Sequence, residues 1–125
     1  MEFKTELPIY LQVMASIKRD IVTGKLSPGE KLPSVRELAV NYTINPNTAS
    51  RVYKELENED ACFTRRGMGT FVTDSIERIR TMKEEMAEEL IGQFLEGMAQ
   101  LGFAFEETIR LMGSHKKGEQ QHAAM

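Results

Sequence analysis

Apolar side chains recur every three or four positions along most of this chain, and the breaks in that rhythm mark where its helices stop. Ile9, Val13, Ile17 and Ile21 repeat at a spacing of four, with Tyr10 and Met14 widening the stripe, which predicts a core helix from Leu7-Pro8 to Thr23. Pro8 suits its first turn and Gly24 its C-terminal cap. Lys18, Arg19 and Lys25 fall outside the stripe, on a solvated side that phosphate can also reach. Leu26 to Pro33 is turn-rich, with Pro28-Gly29 at its corner. Ser34 and Glu37 then have the spacing of a capping box, which predicts a helix of barely two turns that ends in the polar break Asn41 to Thr43, with Leu38 and Val35 along it. Asn45-Pro46 starts another, since Asn is a favoured N-cap and Pro lacks only an N–H that would be unpaired there. Ala49, Val52, Tyr53 and Leu56 line its inner face. Next come two β-prone segments, Cys62-Phe63-Thr64 and Gly69-Thr70-Phe71-Val72, joined by Arg65-Arg66-Gly67-Met68 as a hairpin.

The helical rhythm returns after Val72. Asp74 and Glu77 repeat the capping-box spacing, and Ile79, Met82, Met86, Leu90, Phe94, Met98 and Leu101 form one apolar stripe, interrupted at Gly92 and Gly97. Gly102 breaks the helix. Phe103 to Met112 predicts a second, short one with Phe105, Ile109 and Met112 on one face and Gly113 as its stop. A helix of about 27 residues is near 40 Å long at about 1.5 Å per residue, longer than the preceding segment can cover. The simplest cover for its stripe is the same helix of a second copy, paired around a two-fold axis. The dimerisation set is then Ile79, Met82, Met86, Leu90, Phe94, Met98, Leu101, Phe105 and Ile109; the alternative is that the stripe folds back on its own N-terminal part. The methionines read as adaptable packing.

These elements divide the chain into residues 1–73, a helical dimerisation region at 74–113 and a tail at 114–125. The tail, SHKKGEQQHAAM, has no periodicity and is expected to be disordered. His115 and His122 lie in it without cysteine or carboxylate neighbours, so no metal site and no cofactor are expected. The fold class is mainly α with a small β-wing.

Composition narrows the function. At 41% hydrophobic and 28% charged residues the chain is that of a globular protein, and no apolar run approaches the roughly 20 residues that span a bilayer. No signal-peptide core and a single cysteine fit a cytoplasmic location. The net charge of −3 is uneven: residues 1–73 hold ten Lys or Arg against nine Asp or Glu, and residues 74–125 hold six against ten. A near-neutral N-terminal part can still present a positive face, with binding that rests on a few placed contacts and weakens steeply with salt. No nucleophile with a base, phosphate-cradling glycine loop or ligand cluster is present, so an enzyme is not expected.

The two short helices supply a specific chemistry instead. A helix-turn-helix needs a second helix that opens with small hydrogen-bonding side chains, because those reach base edges in the major groove. Here they are Asn45, Asn47, Thr48 and Ser50, with Arg51 and Lys54 able to meet phosphate or guanine. The hairpin that follows reads as a wing, and Arg65 and Arg66 at its tip belong beside phosphates or in the minor groove.

LPSVREL, INPNTASRVYKELE and RRGMGTFV resemble the N-terminal winged-helix domain of the GntR transcription regulators, and PIYLQV is similar to the YtrA subfamily. The resemblance spans Leu7 to Val72. It implies a short strand from the Leu26–Pro33 connector pairing with the wing, with Leu26 and Leu32 inward, and DNA contacts at Arg36, the helix start Asn45 to Ser50, and Gly67. Pro46 and Ser50 stand where many members have arginine, and Asp60-Ala61-Cys62 where they have a glycine and two aliphatics. The expected DNA-facing set is Ser34, Arg36, Asn45, Pro46, Asn47, Thr48, Ser50, Arg51, Lys54, Arg65, Arg66, Gly67 and Gly69. The expected function is a homodimeric, sequence-specific regulator that binds double-stranded DNA at an inverted-repeat operator. The alternative is a winged protein-interaction module oligomerised by its C-terminal helices. With two helices after the wing, any small-molecule effector is expected to be weak or absent, or to act through dimer geometry.

Overall fold

The structure, a computed structural model, describes residues 1–3 and 6–123. Its elements run α1 (Ile9–Val22), α2 (Val35–Tyr42), α3 (Pro46–Asn58), β1 (Cys62–Arg65), β2 (Gly69–Val72), α4 (Ile76–Gln100) and α5 (Phe105–Ala123). They fall into two compact units, Met1–Glu84 and Glu85–Met125, which divide inside α4. The fold is mainly helical with one small antiparallel hairpin, as the sequence pattern predicts.

In the first unit α1 and α2 both pack on α3. The core joins Val13, Met14, Ile17 and Ile21 of α1 to Leu38 of α2 and to Ala49, Val52, Tyr53 and Leu56 of α3, all buried. Ile9, expected in the α1 stripe, stays exposed because Pro8 is the N-cap and the helix only begins at Ile9. Two hydrogen bonds lock the packing: Tyr53 donates to the Pro33 carbonyl at 2.5 Å, and Ser16 Oγ lies 3.0 Å from Tyr42 Oη. The α2 capping box forms as read, with Glu37 N–H donating to Ser34 Oγ at 3.1 Å and Ser34 N–H to Glu37 Oε1 at 3.0 Å. The Ser34 amide, and then its hydroxyl, hold the Glu37 carboxyl below its ordinary value. The carboxylate's share of the cap is therefore present at neutral pH and is lost as pH falls through that lowered value, while the Glu37 N–H bond to Ser34 Oγ remains.

In the hairpin Cys62 pairs with Val72, Phe63 with Phe71, Thr64 with Thr70 and Arg65 with Gly69. The strand expected from the connector is a single bridge, Lys31 to Phe71, flanked by Leu32 N–H to Thr70 O and Val72 N–H to Glu30 O, both 2.8 Å. Leu32 is buried and Leu26 half-buried.

The link from α3 to β1 turns on Asp60, whose φ is 59°. That left-handed conformation costs a residue with a side chain about 1–2 kcal/mol, against about 0.5–1 kcal/mol for the extra freedom glycine brings to the unfolded chain. Asp60→Gly is therefore expected to stabilise the protein by about 0.5 kcal/mol in urea unfolding; a loss of stability would mean that the carboxylate itself holds the turn. Ala61 and Cys62 are buried although smaller than aliphatic residues. Burial pushes the Cys62 thiol up to about 12, so it stays protonated at neutral pH. Iodoacetamide is expected to label it only as fast as the protein unfolds, and rapid labelling of the native protein would contradict that packing.

The second unit and the start of α4 depart from the sequence reading in several places. Ser75, not Asp74, caps α4: its Oγ accepts from Arg78 N–H at 3.1 Å, because the helix begins one residue later than the Asp74–Glu77 spacing implies. Met82 is fully buried in the chain itself, which removes it from any surface offered to a second copy. Gly102 ends α4 with φ 92°, its amide bonded to Ala99 O and that of Phe103 to Met98 O, the paired bonds of a Schellman motif. α5 begins at Phe105 rather than Phe103 and does not stop at Gly113. It continues through Gly113 to Ala123, across most of the segment read as disordered, and residues 124 and 125 lie outside the described ones. The residues beyond Gly113 include Lys116, Lys117, Glu119, Gln120 and Gln121, good helix formers that prolong a started helix without an apolar face.

Candidate nucleic-acid interface

The corner between α2 and α3 sets the geometry. Thr43 leaves α2 with φ 55°, its amide turned back to Ala39 and Val40, and Ile44 N–H donates to Ala39 O at 2.9 Å. Asn45 then caps α3: its Oδ1 accepts from Asn47 N–H at 2.7 Å, and Pro46 takes the first helical position. At about 100° per residue, Asn47, Arg51 and Lys54 share an arc of about 60° opposite the buried side, with Ser50 and Thr48 at its edges. All of these are exposed except Thr48, which is half-buried.

These contacts sort the two asparagines. Bidentate pairing with adenine needs the amide oxygen and the amino group together, and the Asn45 oxygen is engaged at the cap. Asn47 has neither group hydrogen-bonded among the described residues. Ser34 Oγ is likewise engaged, in its capping box. Arg36 is exposed in the first turn of α2, beside an open depression lined by Ala39, Val40, Thr43, Ile44 and Pro46. Arg51 does not stand free: its Cζ lies 3.8 Å from the ring centroid of Tyr10 in α1.

In the wing Arg65 closes β1, and Met68 N–H donates to Arg65 O at 2.9 Å around Arg66 and Gly67. Gly67 has φ 79°, which glycine adopts without a steric penalty at such a turn position. Phe63 and Phe71 stack across the strands with centroids 5.6 Å apart, and the Arg65 guanidinium lies 5.5 Å from Phe63. Glu57 accepts from Thr64 N–H at 3.3 Å and ties the wing back to α3.

Two residues escaped the sequence reading. Lys31 pairs with Phe71, and its Cε lies 3.0 Å from where a Cβ on Gly69 would stand, so it adds an ammonium to the base of the wing. The implied connector strand was the signal for it. Tyr10 reads as core from its place in the α1 stripe, and its contact with Arg51 has no local signal. Lys18, weighed as a phosphate contact, instead pairs with Glu59 at 2.6 Å. Among the described residues no group of three His, Cys, Asp or Glu could hold a metal ion, and no helix is long and apolar enough to cross a membrane.

The family profile described as "Bacterial regulatory proteins, gntR family" matches residues 9–72, from the start of α1 to the end of β2. The chain is similar to the uncharacterized HTH-type transcriptional regulator YhcF of Bacillus subtilis (strain 168), 38% identical over 117 residues that make up 94% of this chain and 97% of that protein. It is also similar to the HTH-type transcriptional repressor YtrA of the same organism, 42% identical over 93 residues, 70% of this chain and 72% of that protein. A solved GntR family transcriptional regulator from Listeria monocytogenes matches with a TM-score of 0.80 at 38% identity, over 90% of this chain and 98% of that one.

Proposed function

The chain belongs to the gntR family of bacterial regulatory proteins and is a DNA-binding transcription regulator; from that premise we propose that it works in the cytoplasm as a homodimer on an inverted-repeat operator. One contrast supports this reading. The exposed sides of α3 and the wing are amide, hydroxyl, guanidinium and ammonium, whereas α4 and α5 expose Leu90, Ile91, Phe94, Leu101, Phe105, Ile109, Leu111 and Met112. Apolar surface of that extent is rarely left to water in a monomer. A second copy around a two-fold axis covers it and presents two recognition helices to successive major grooves.

In this proposal Asn47 reads a base edge, and Arg36, Lys54, Arg65 and Arg66 meet phosphates or the minor groove. Pro46, Ser50, Gly67 and Gly69 allow close approach of the backbone. Ser34 and Asn45 act through the helix starts that they cap. Ile79 and Met86, half-buried in the single chain, lie at the margin of the dimer surface, and Met98 joins it beside Phe94. The depression beside Arg36 is open, and any effector is expected to be weak or absent, or to act through dimer geometry. Hydroxyl-radical footprinting on a bound operator tests the arrangement: two protected patches on one face of the duplex, about one helical turn or roughly 34 Å apart, are expected. A single patch would overturn the dimeric reading.

A further inference from the structure

We propose that Tyr10 is a positioning residue for DNA binding, holding Arg51 so that its guanidinium edge meets a backbone phosphate. The inference rests on the DNA-binding reading above. Arg51 sits on the exposed arc of α3, one turn after Asn47, where an arginine alone would sample many rotamers. Here its Cζ is 3.8 Å from the centre of the Tyr10 ring, within the range of a cation–π contact. At that distance the guanidinium rests on the ring by its flat face, since an N–H aimed at the ring would hold Cζ farther off. Its N–H donors lie in the plane and point away at the edge, so the stack fixes the cation without consuming a donor. Tyr10 is half-buried in the second helical position of α1, a turn before the buried Val13 and Met14. The start of α1 therefore borders the recognition face and orders a charge on it.

Wild type, Tyr10→Phe, Tyr10→Leu, Arg51→Ala and the Tyr10→Leu/Arg51→Ala double variant are titrated by fluorescence anisotropy against one labelled mixed-sequence duplex over a range of salt. Tyr10→Phe is expected to bind like wild type. Tyr10→Leu is expected to weaken binding about fivefold, the worth of an exposed cation–π contact, and to lower the slope of log affinity against log salt toward that of Arg51→Ala, about one ion smaller. The double variant is expected to match Arg51→Ala alone. Leucine preserves apolar packing, and a purely structural role would change the melting temperature without moving the salt slope. If wild type binds and Tyr10→Leu has the same affinity and slope, or if the losses in the double variant add, this inference fails alone. A wild-type chain without affinity for the duplex overturns the DNA reading together with it.

Discussion

Replacing Arg36 and Arg65 together with alanine is expected to abolish operator binding and leave the proposed dimer intact. The two residues lie on different elements of the first unit, the first turn of α2 and the end of β1, and both are exposed. Neither supports the core: Arg36 lies outside the Ser34–Glu37 cap, and Arg65 lies over the Phe63 ring on the wing surface. A good base contact from one arginine discriminates by about 1–3 kcal/mol, and a phosphate contact adds its share of counterion release. The double variant should therefore lose at least about a hundredfold in affinity, beyond what two surface substitutions do to stability. Anisotropy titration at fixed salt reads the loss, and light scattering after gel filtration reads the dimer. Unchanged affinity would remove both arginines from the interface, and loss of the dimer would mean that the first unit contributes to association.

Phe94→Glu with Leu101→Glu is expected to convert the proposed dimer to a monomer. Leu90 and Phe94 fall within about 40° of one another on α4, Leu101 follows directly after its end, and Leu101 is 74% exposed and Phe94 45% exposed in the single chain. Substitution there leaves the buried residues of the chain untouched. In an assembled dimer it places four carboxylates in an apolar contact, and each unpaired charge buried in this way costs several kcal/mol. The dissociation constant should rise by at least about a hundredfold, or about 3 kcal/mol. Operator affinity should fall more than tenfold with it, since in the proposed dimer each monomer holds one half-site. Sedimentation equilibrium at micromolar concentration checks the first effect and anisotropy the second. A variant that remains dimeric would place the interface elsewhere.

Local rules were enough for the DNA-binding part because its signals are local. A capping box is written in two residues, Ser34 and Glu37, and an N-cap with proline behind it in Asn45-Pro46; both form where the sequence puts them. The inner face of α3 follows from spacing alone, because Ala49, Val52, Tyr53 and Leu56 leave no competing face. Spacing does not say which residue of a stripe the chain covers itself. Met82 and Leu90 share one periodic stripe, yet Met82 is fully buried and Leu90 is 67% exposed. Nor does it say which side chains meet across elements. Tyr10 and Arg51 are far apart in sequence, and Lys31 reaches Gly69 only because the connector lies along β2. Asp74 and Ser75 are both favoured N-cap residues, and a shift of one residue in the helix start decides between them. Gly113 has the signature of a stop, but a glycine costs a helix interior only about 1 kcal/mol, and α5 passes through it.

Selection of bound duplexes from a random-sequence DNA library by the full chain tests the central claim most directly. A homodimer reading bases through α3 predicts enrichment of an inverted repeat whose half-sites lie about one helical turn apart, with an affinity that falls steeply as salt rises. Binding without enrichment of any sequence, or enrichment of a single unrepeated half-site, would contradict it.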